Sequence, residues 1–198
     1  VVLAIDTSDS MSGDPLSVAR QSALIFLDGL PSRHPVAVVG FGETAAVVSE
    51  LTTDRDASRA AVSALVSGGE TTLFDALVAS ADLLSASNAD WFSVVLLSDG
   101  ADTRSLATPS EAVSALSGLN VTLYSIGLET GDSRLTELAT LTANAGGRYL
   151  AATELVQLGA VYDDLAARLA NQYRITFDAT STGSVDVLVT VAFEGDPA

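Results

Sequence analysis

Two hydrophobic patterns alternate along the chain. Short, nearly continuous apolar runs occupy 1–5, 36–41, 91–99 and 120–127, and the segments between them repeat apolar residues every three or four positions. The short runs predict strands buried on both faces, and the longer segments predict amphipathic helices. A run at 44–51 follows a tight turn and predicts an antiparallel strand, and 148–151 predicts a short last strand. We therefore predict an α/β fold with a doubly wound, mostly parallel sheet of six strands, one of them antiparallel, and helices on both faces.

Capping residues indicate where the helices begin. Asp14 followed by Pro15 is typical of an N-cap with proline in the first turn, and Thr53 is a candidate cap for the next helix. The sequence Thr-Pro-Ser-Glu from Thr108 has the form of a capping box. With these signals, helices are predicted at 14–30, 53–66, 71–86, 108–117, 133–144 and 153–171.

The last part of the chain has a different pattern. Segments 172–178 and 185–193 alternate apolar and polar residues around turn residues at 181–184. This alternation predicts a β-hairpin with one polar face, which is barely stable alone. We predict one domain at 1–172 and a C-terminal β-hairpin at 173–198, part of a small β layer whose other strands lie upstream of Val1. Because the chain does not begin with Met, we interpret it as a fragment of a longer membrane-attached or secreted protein.

Composition excludes several kinds of chemistry. The formal net charge is -16, which makes nucleic acid and a bare anionic membrane poor partners, and no apolar run reaches the roughly 18 residues of a membrane-spanning helix. Cysteine is absent, so disulfides and thiolate sites are excluded. All nine basic residues are arginine, so there is no P-loop lysine or Schiff-base lysine. The one histidine, His34, precedes a strand and makes a Ser-His-Asp arrangement improbable.

Oxygen-bearing side chains cluster in three loops of the predicted sheet. They occur at 6–10 after the first strand, at 68–72 before a helix, and at 98–102 after the strand from Trp91. Loops at the carboxyl ends of parallel strands carry the ligand site of such folds. If the first strand and the Trp91 strand are neighbours, Asp6 and Asp99 face each other, and the hydroxyls of Ser8, Ser10 and Thr71 can reach the same space. An oxygen-only donor set favours Mg²⁺ over zinc or copper.

These motifs resemble those of von Willebrand factor type A (vWA) domains. Asp-Thr-Ser-Asp-Ser-Met from Asp6 resembles their DxSxS motif, the sequence GGETTLFDAL from Gly68 resembles their threonine loop, and LLSDGAD from Leu96 resembles their second acidic motif. The resemblance covers about residues 1–172 and implies the Rossmann-like strand order 3-2-1-4-5-6. It also implies a metal-ion-dependent adhesion site for Mg²⁺, with Mn²⁺ or Ca²⁺ as alternatives. The implied metal-binding residues are Asp6, Ser8, Ser10, Thr71 and Asp99.

Other residues near these motifs have simpler expectations. Asp9 stands where the motif often has glycine, and it is either a solvated loop residue or a group that modulates ligand charge preference. Glu70 and Asp102 are expected at the rim or surface. Asp75 is expected to accept hydrogen bonds locally or to support a ligand, and Trp91 is expected to be a packing residue.

The resemblance implies a non-catalytic, metal-dependent protein-binding module for adhesion or assembly. An Asp or Glu of the partner would complete the coordination, and the last helix would shift on binding. An extracellular or cell-envelope location in a bacterium is expected. One alternative is a cytoplasmic vWA subunit of an AAA+ or chelatase-type machine. Another is a Mg²⁺-dependent phosphatase with Asp6 as nucleophile, which Ser8 and the missing lysine disfavour.

Overall fold

The computed structural model describes residues 1–87, 89, 91–129, 135–152 and 155–171. The predicted hairpin at 173–198 lies outside these residues. The strands are β1 (Val2–Asp6), β2 (Val36–Phe41), β3 (Ala45–Thr52), β4 (Phe92–Ser98), β5 (Val121–Leu128) and β6 (Arg148–Ala152). The helices are α1 (Asp14–Gly29), α2 (Arg55–Ala64), α3 (Leu73–Ser85), α4 (Pro109–Ser117), α5 (Leu135–Asn144) and α6 (Leu155–Ala170). No helix in these ranges is long and apolar enough to cross a membrane.

The six strands form one sheet in the order β3-β2-β1-β4-β5-β6. β3 runs antiparallel to β2, and the other neighbours are parallel. Ile5 of β1 pairs with Gly40 on one side and with Leu97 on the other. The predicted fold class and strand order are therefore confirmed. The chain winds outward in both directions from β1 and β4, so the switch point of the sheet lies between these two strands.

Side chains of β1 alternate between two hydrophobic cores. Leu3 and Ile5 belong to the core beneath α1, α2 and α6, and Val2 and Ala4 belong to the core beneath α3, α4 and α5. Successive residues of a strand point to opposite faces of its sheet. Because helices cover both faces, every position of β1 is buried, which explains why its sequence is continuously apolar up to Asp6.

Two of the predicted caps are wrong by one residue. The N-cap of α1 is Gly13, whose φ of 82° suits glycine, and Asp14 and Pro15 lie in the first turn. The N-cap of α2 is Asp54 rather than Thr53, and its carboxylate accepts hydrogen bonds from the backbone of Asp56 and of Ala57. A carboxylate reaches these donors at least as well as a threonine hydroxyl. The predicted capping box of α4 is confirmed.

Trp91 does not pack in the core, because 66% of its surface is exposed. It precedes β4 at the amino edge of the sheet, beyond the cover of the helices. There it lines a cavity of about 520 Å³ together with Val1, Leu84 and Leu169. The aromatic residue therefore belongs to the surface opposite the predicted metal site.

Tyr162 of α6 is the largest fully buried side chain, and its ring meets Phe26 of α1 edge to face at 5.7 Å. Within the described part of the chain, its hydroxyl has no hydrogen-bond partner. Burial raises the pKa of this hydroxyl well above its ordinary value. A buried polar group without a partner lowers stability by about 1–3 kcal/mol.

Tyr162→Phe is therefore expected to leave the free energy of unfolding unchanged or to raise it by about 1 kcal/mol, because only the unsatisfied hydroxyl is removed. Tyr162→Ala, which also removes the ring, is expected to lower it by about 4 kcal/mol. Urea unfolding of both variants measures these changes. A loss of stability in Tyr162→Phe comparable to that in Tyr162→Ala would contradict the assignment.

Candidate metal centre

Asp6 ends β1 with a fully buried carboxylate. The backbone N–H of Ser8 donates to its Oδ1 at 2.8 Å. The hydroxyl of Ser98, the last residue of β4, donates to its Oδ2 at 2.5 Å. These two bonds fix the orientation of the carboxylate at the carboxyl edge of the sheet.

A chain of hydroxyls joins the first loop to the loop after β4. The hydroxyl oxygens of Ser8 and Ser10 lie 3.0 Å apart, and Ser10 Oγ donates to Oδ1 of Asp99 at 2.9 Å. Ser8 and Asp99 are buried, whereas Ser10 is exposed. Four of the five predicted metal-binding residues, including Asp6, thus lie together at the switch point.

Thr71, the fifth predicted residue, is buried and is held through its backbone. Its N–H donates to Oγ1 of Thr103 at 2.9 Å, and its carbonyl accepts from the N–H groups of Thr103 and Arg104 at 3.0 and 3.1 Å. The loop after β4 therefore fixes the position of the threonine loop.

Asp9 has a role that neither sequence expectation described. Its Oδ1 accepts a hydrogen bond from the N–H of Gly69 at 3.1 Å, and its own N–H donates to the Gly69 carbonyl at 2.9 Å. This pair of bonds ties the first loop to the threonine loop, although Asp9 is exposed. Gly69 has a φ of 83°, a conformation that glycine adopts without strain.

The turn between β2 and β3 also contacts the threonine loop. The N–H of Glu43 donates to the carbonyl of Gly68 at 3.2 Å, and the N–H of Gly68 donates to the carbonyl of Thr7 at 2.7 Å. A Cβ added to Gly42 would lie 2.4 Å from the carbonyl oxygen of Gly68. The approach of these backbones therefore requires glycine at position 42.

Burial dominates the electrostatics of Asp6. The pKa of this carboxyl is raised from 3.8 to about 6; burial is the main cause and the charge of Asp99 adds to it, while the hydrogen bonds from Ser98 and Ser8 oppose the rise. No arginine among the described residues forms an ion pair with Asp6. A carboxylate desolvated in this way beside a second carboxylate is stabilised by a bound cation.

The donor set fits a hard divalent cation. It consists of two carboxylates and three hydroxyls, all oxygen, which suits Mg²⁺, Mn²⁺ or Ca²⁺. Among the described residues, no group of three or more His, Cys, Asp or Glu could hold a metal ion. The described residues therefore offer two charged ligands here. Two carboxylates and three hydroxyls supply at most five of the six oxygen ligands that Mg²⁺ prefers, so a bound ion would keep a coordination position for water or another ligand.

Two acidic residues near the site, Asp75 and Asp102, accept hydrogen bonds that join α3 to the loop after β4. The carboxylate of Asp75 accepts from the N–H groups of Leu106 and Ala107 at 3.0 and 2.8 Å, which agrees with its expected role as a local acceptor. Asp102 accepts hydrogen bonds from the N–H of Phe74 at 3.2 Å and from Ser105. It therefore stabilises the start of α3 and is not simply an unbonded residue at the rim of the site. Both residues make the loop rigid.

Ser98 was not among the predicted site residues, although it lies in the oxygen-rich segment 98–102 that follows the Trp91 strand. Its contact with Asp6 joins residues 92 positions apart in the sequence. The only sequence signal was a polar residue at the end of an otherwise apolar strand. Thr103, which bonds to Thr71, was missed for the same reason, because neither motif specifies a bond between the two loops.

A doubly wound sheet with an oxygen-rich cluster at its switch point places this chain among the Rossmann-like α/β domains. Residues 1–164 match the von Willebrand factor type A domain. The chain belongs to the von Willebrand factor type A domain family.

One curated relative and several solved structures are similar to the chain. A UPF0353 protein of Nocardia farcinica (strain IFM 10152) is 27% identical over 209 residues, which cover 85% of this chain and 62% of that protein. The chain thus spans less than two thirds of that relative. The structure of a von Willebrand factor type A protein from Catenulispora acidiphila is 25% identical with a TM-score of 0.73. The match covers 85% of this chain and 42% of the Catenulispora chain.

Two further structures share the fold at lower identity. The PilB minor pilin from Streptococcus sanguinis has a TM-score of 0.73 at 17% identity, with 85% of this chain and 61% of the pilin covered. The vWF domain of the type V pili tip protein Mfa5 from Porphyromonas gingivalis has a TM-score of 0.71 at 16% identity, with 88% and 97% covered. At these identities the likeness establishes the fold alone.

Proposed function

We propose that this domain is a non-catalytic, metal-dependent protein-binding module of the adhesion or assembly type. Asp6, Ser8, Ser10, Thr71 and Asp99 would hold Mg²⁺, directly or through water. The bound ion would supply a Lewis-acidic position for one carboxylate oxygen of a partner protein. The chain's own residues orient the carboxylates and leave one side of the cluster open to solvent at Ser10.

The hydrogen bond from Ser10 to Asp99 is the observation that carries this proposal. At 2.9 Å it joins loops that are 89 residues apart in the sequence, and it brings the second carboxylate to the hydroxyls that follow Asp6. A solvated surface cluster would not need buried carboxylates. Because burial disfavours two neighbouring negative charges, the arrangement is explained best by a cation that compensates them.

The small number of charged ligands supports an acidic partner. Mg²⁺ prefers six oxygen ligands, and the two carboxylates and three hydroxyls supply at most five of them. Because the three hydroxyls are neutral, the ion would remain a Lewis acid, and a carboxylate from another chain would complete its coordination. We therefore propose a partner that presents Asp or Glu, rather than a nucleic acid, whose phosphates the overall charge of -16 repels.

A phosphatase with Asp6 as nucleophile is less consistent with the geometry. Both carboxylate oxygens of Asp6 already accept hydrogen bonds, from Ser8 and from Ser98. No lysine is present anywhere in the chain to balance a transferred phosphoryl group. We propose that the protein does not turn over phosphate esters, and incubation with p-nitrophenyl phosphate and Mg²⁺ tests this directly.

The location and wider assembly are proposals that the whole gene product would test. We propose an extracellular or cell-envelope position, where adhesion modules act. A flanking membrane-spanning helix or export signal would support this position. A flanking AAA+ ATPase domain would instead favour the cytoplasmic chelatase-type machine, in which the same site would bind an acidic loop within the complex.

Calorimetric titration with Mg²⁺ tests the metal site. We expect saturable binding to the wild type and no detectable binding to Asp99→Ala, because that variant removes one of two charged ligands. Glu70→Gln is the matched control: it removes a negative charge from the same threonine loop without touching the five predicted ligands, and it should weaken Mg²⁺ binding by less than about threefold.

A displayed library of random 12-residue peptides, selected in Mg²⁺ and eluted with EDTA, tests the partner chemistry. Recovered peptides are expected to share an Asp or Glu and to lose binding to Asp99→Ala. Selection that yields only metal-independent peptides would refute the proposed function.

A further inference from the structure

Arg104 lies beside the predicted metal site and contacts two glutamates from different loops. Its guanidinium is 3.0 Å from Glu43 in the β2–β3 turn and 3.9 Å from Glu70 in the threonine loop. All three side chains are about half exposed. Among the described residues, Arg104 is the one arginine in a loop at the carboxyl edge of the sheet. Within the described part of the chain, it is therefore the positive group of that surface.

The backbone of Arg104 is fixed close to Thr71. Its N–H donates to the Thr71 carbonyl at 3.1 Å, and the loop beyond it is held through the carboxylates of Asp102 and Asp75. The guanidinium therefore extends from a rigid base only one hydrogen bond away from the predicted ligand Thr71. Such preorganisation reduces the entropy lost when a side chain binds a partner.

The ion pairs of Arg104 are not needed to hold the loops together. The three loops that carry Arg104, Glu43 and Glu70 are already joined by backbone bonds, from Glu43 to Gly68 and from Arg104 to Thr71. Exposed ion pairs contribute little to stability. The contact with Glu70 is also too long for a hydrogen bond. Replacing Glu70 by another carboxylate at the guanidinium would therefore cost little free energy.

We propose that Arg104 is a second anchor for the partner, and that the partner segment presents two carboxylates. One carboxylate completes the metal site, and the other binds the Arg104 guanidinium in place of Glu70. A guanidinium suits this role because its planar donors bind a carboxylate in two parallel hydrogen bonds. The inference rests on the proposed function and specifies its partner as a doubly acidic protein segment.

The anchor has opposite effects on the ion and on the partner. Removing the guanidinium leaves Glu43 and Glu70 without a compensating charge, which increases the attraction for a cation. The same change removes a contact to an acidic partner. We therefore expect Arg104→Ala to tighten Mg²⁺ binding about threefold and to weaken peptide binding about tenfold. A loss of loop structure would weaken both.

A double-mutant cycle with a peptide from the displayed library separates a direct contact from a long-range field effect. The peptide is compared with a variant in which its second acidic residue is replaced by the corresponding amide, Asn or Gln. On the wild type we expect that replacement to weaken binding about tenfold; on Arg104→Ala we expect less than about twofold. Arg148→Ala, at the start of β6, is the matched control and should behave as the wild type.

The outcomes distinguish the two proposals. EDTA-sensitive peptides with a single acidic residue, or a peptide replacement that weakens binding equally on the wild type and on Arg104→Ala, would overturn the anchor and leave the metal-dependent module intact. The absence of any EDTA-sensitive peptide would overturn both.

Discussion

Asp6→Asn is expected to raise the melting temperature of the metal-free protein and to abolish the increase that Mg²⁺ produces in the wild type. The substitution keeps the shape of the side chain and removes a charge that is fully buried at the end of β1. In EDTA this charge would lack a cation and would destabilise the folded state. With the proposed Mg²⁺ bound, the same charge would act as a ligand, so the sign of the effect should reverse between the two conditions.

The pKa of Asp6 sets the size of the effect in EDTA. A rise from 3.8 to about 6 corresponds to about 3 kcal/mol, or a melting temperature higher by about 6–12 °C in the variant at pH 7.5. Because the folded protein binds the proton more tightly than the unfolded chain, wild-type stability from this group is present below pH 4 and is lost as the pH rises through about 6. The stability of Asp6→Asn should not fall in this way as the pH rises, because an amide does not titrate.

Differential scanning fluorimetry at pH 5 and pH 7.5, with EDTA or with millimolar Mg²⁺, measures all four conditions. Asp82→Asn is the matched control, because Asp82 is an exposed acid in α3, and it should follow the wild type. A variant that melts below the wild type in EDTA, or that still responds fully to Mg²⁺, would show that Asp6 is not a desolvated metal ligand.

Gly42→Ala is expected to destabilise the protein by about 3 kcal/mol and to weaken Mg²⁺ binding at the same time. The added Cβ would lie 2.4 Å from the Gly68 carbonyl oxygen and 3.0 Å from that of Thr7. These are backbone atoms, so relief requires the turn to move away from the threonine loop and from the residue that follows Asp6. The melting temperature should fall by about 6–12 °C.

Gly68→Ala provides the matched comparison, because a Cβ at that position has no atom within 4 Å and the Gly68 N–H remains available to Thr7. Its melting temperature and Mg²⁺ affinity should stay close to those of the wild type. Equal losses in the two variants would show that any methyl group in these loops is harmful, and that close approach at Gly42 is not the cause.

The fold was predictable because its signals are local. β1 is apolar from Val2 to Ile5 because both of its faces are covered, and the change from continuous runs to helical spacing marks each βα unit. The capping box at Thr108 is read from four consecutive residues, and the structure confirms it. Where two capping residues are adjacent, as at Thr53 and Asp54, local sequence does not decide between them.

The site was only partly predictable, because motifs name residues and not the bonds between loops. The motif with Asp6 and Ser8 and the motif with Asp99 each occur within a few positions, and the sheet brings them together. Ser98 reaches Asp6, and Asp9 reaches Gly69, only through tertiary packing of loops about 60 or more residues apart. No periodicity or propensity encodes such contacts.

Because the proposed cation site needs β1 paired with β4, recovery of cation binding reports when these two strands come together during refolding. The oxygen cluster needs side chains separated by about ninety positions, and β2, β3, α1, α2 and α3 lie between β1 and β4 in the chain. Non-local ladders of this kind close late. Recovery of Mn²⁺ affinity after dilution from denaturant should therefore lag behind the return of helical circular dichroism, and the interval measures how long the two central strands take to meet.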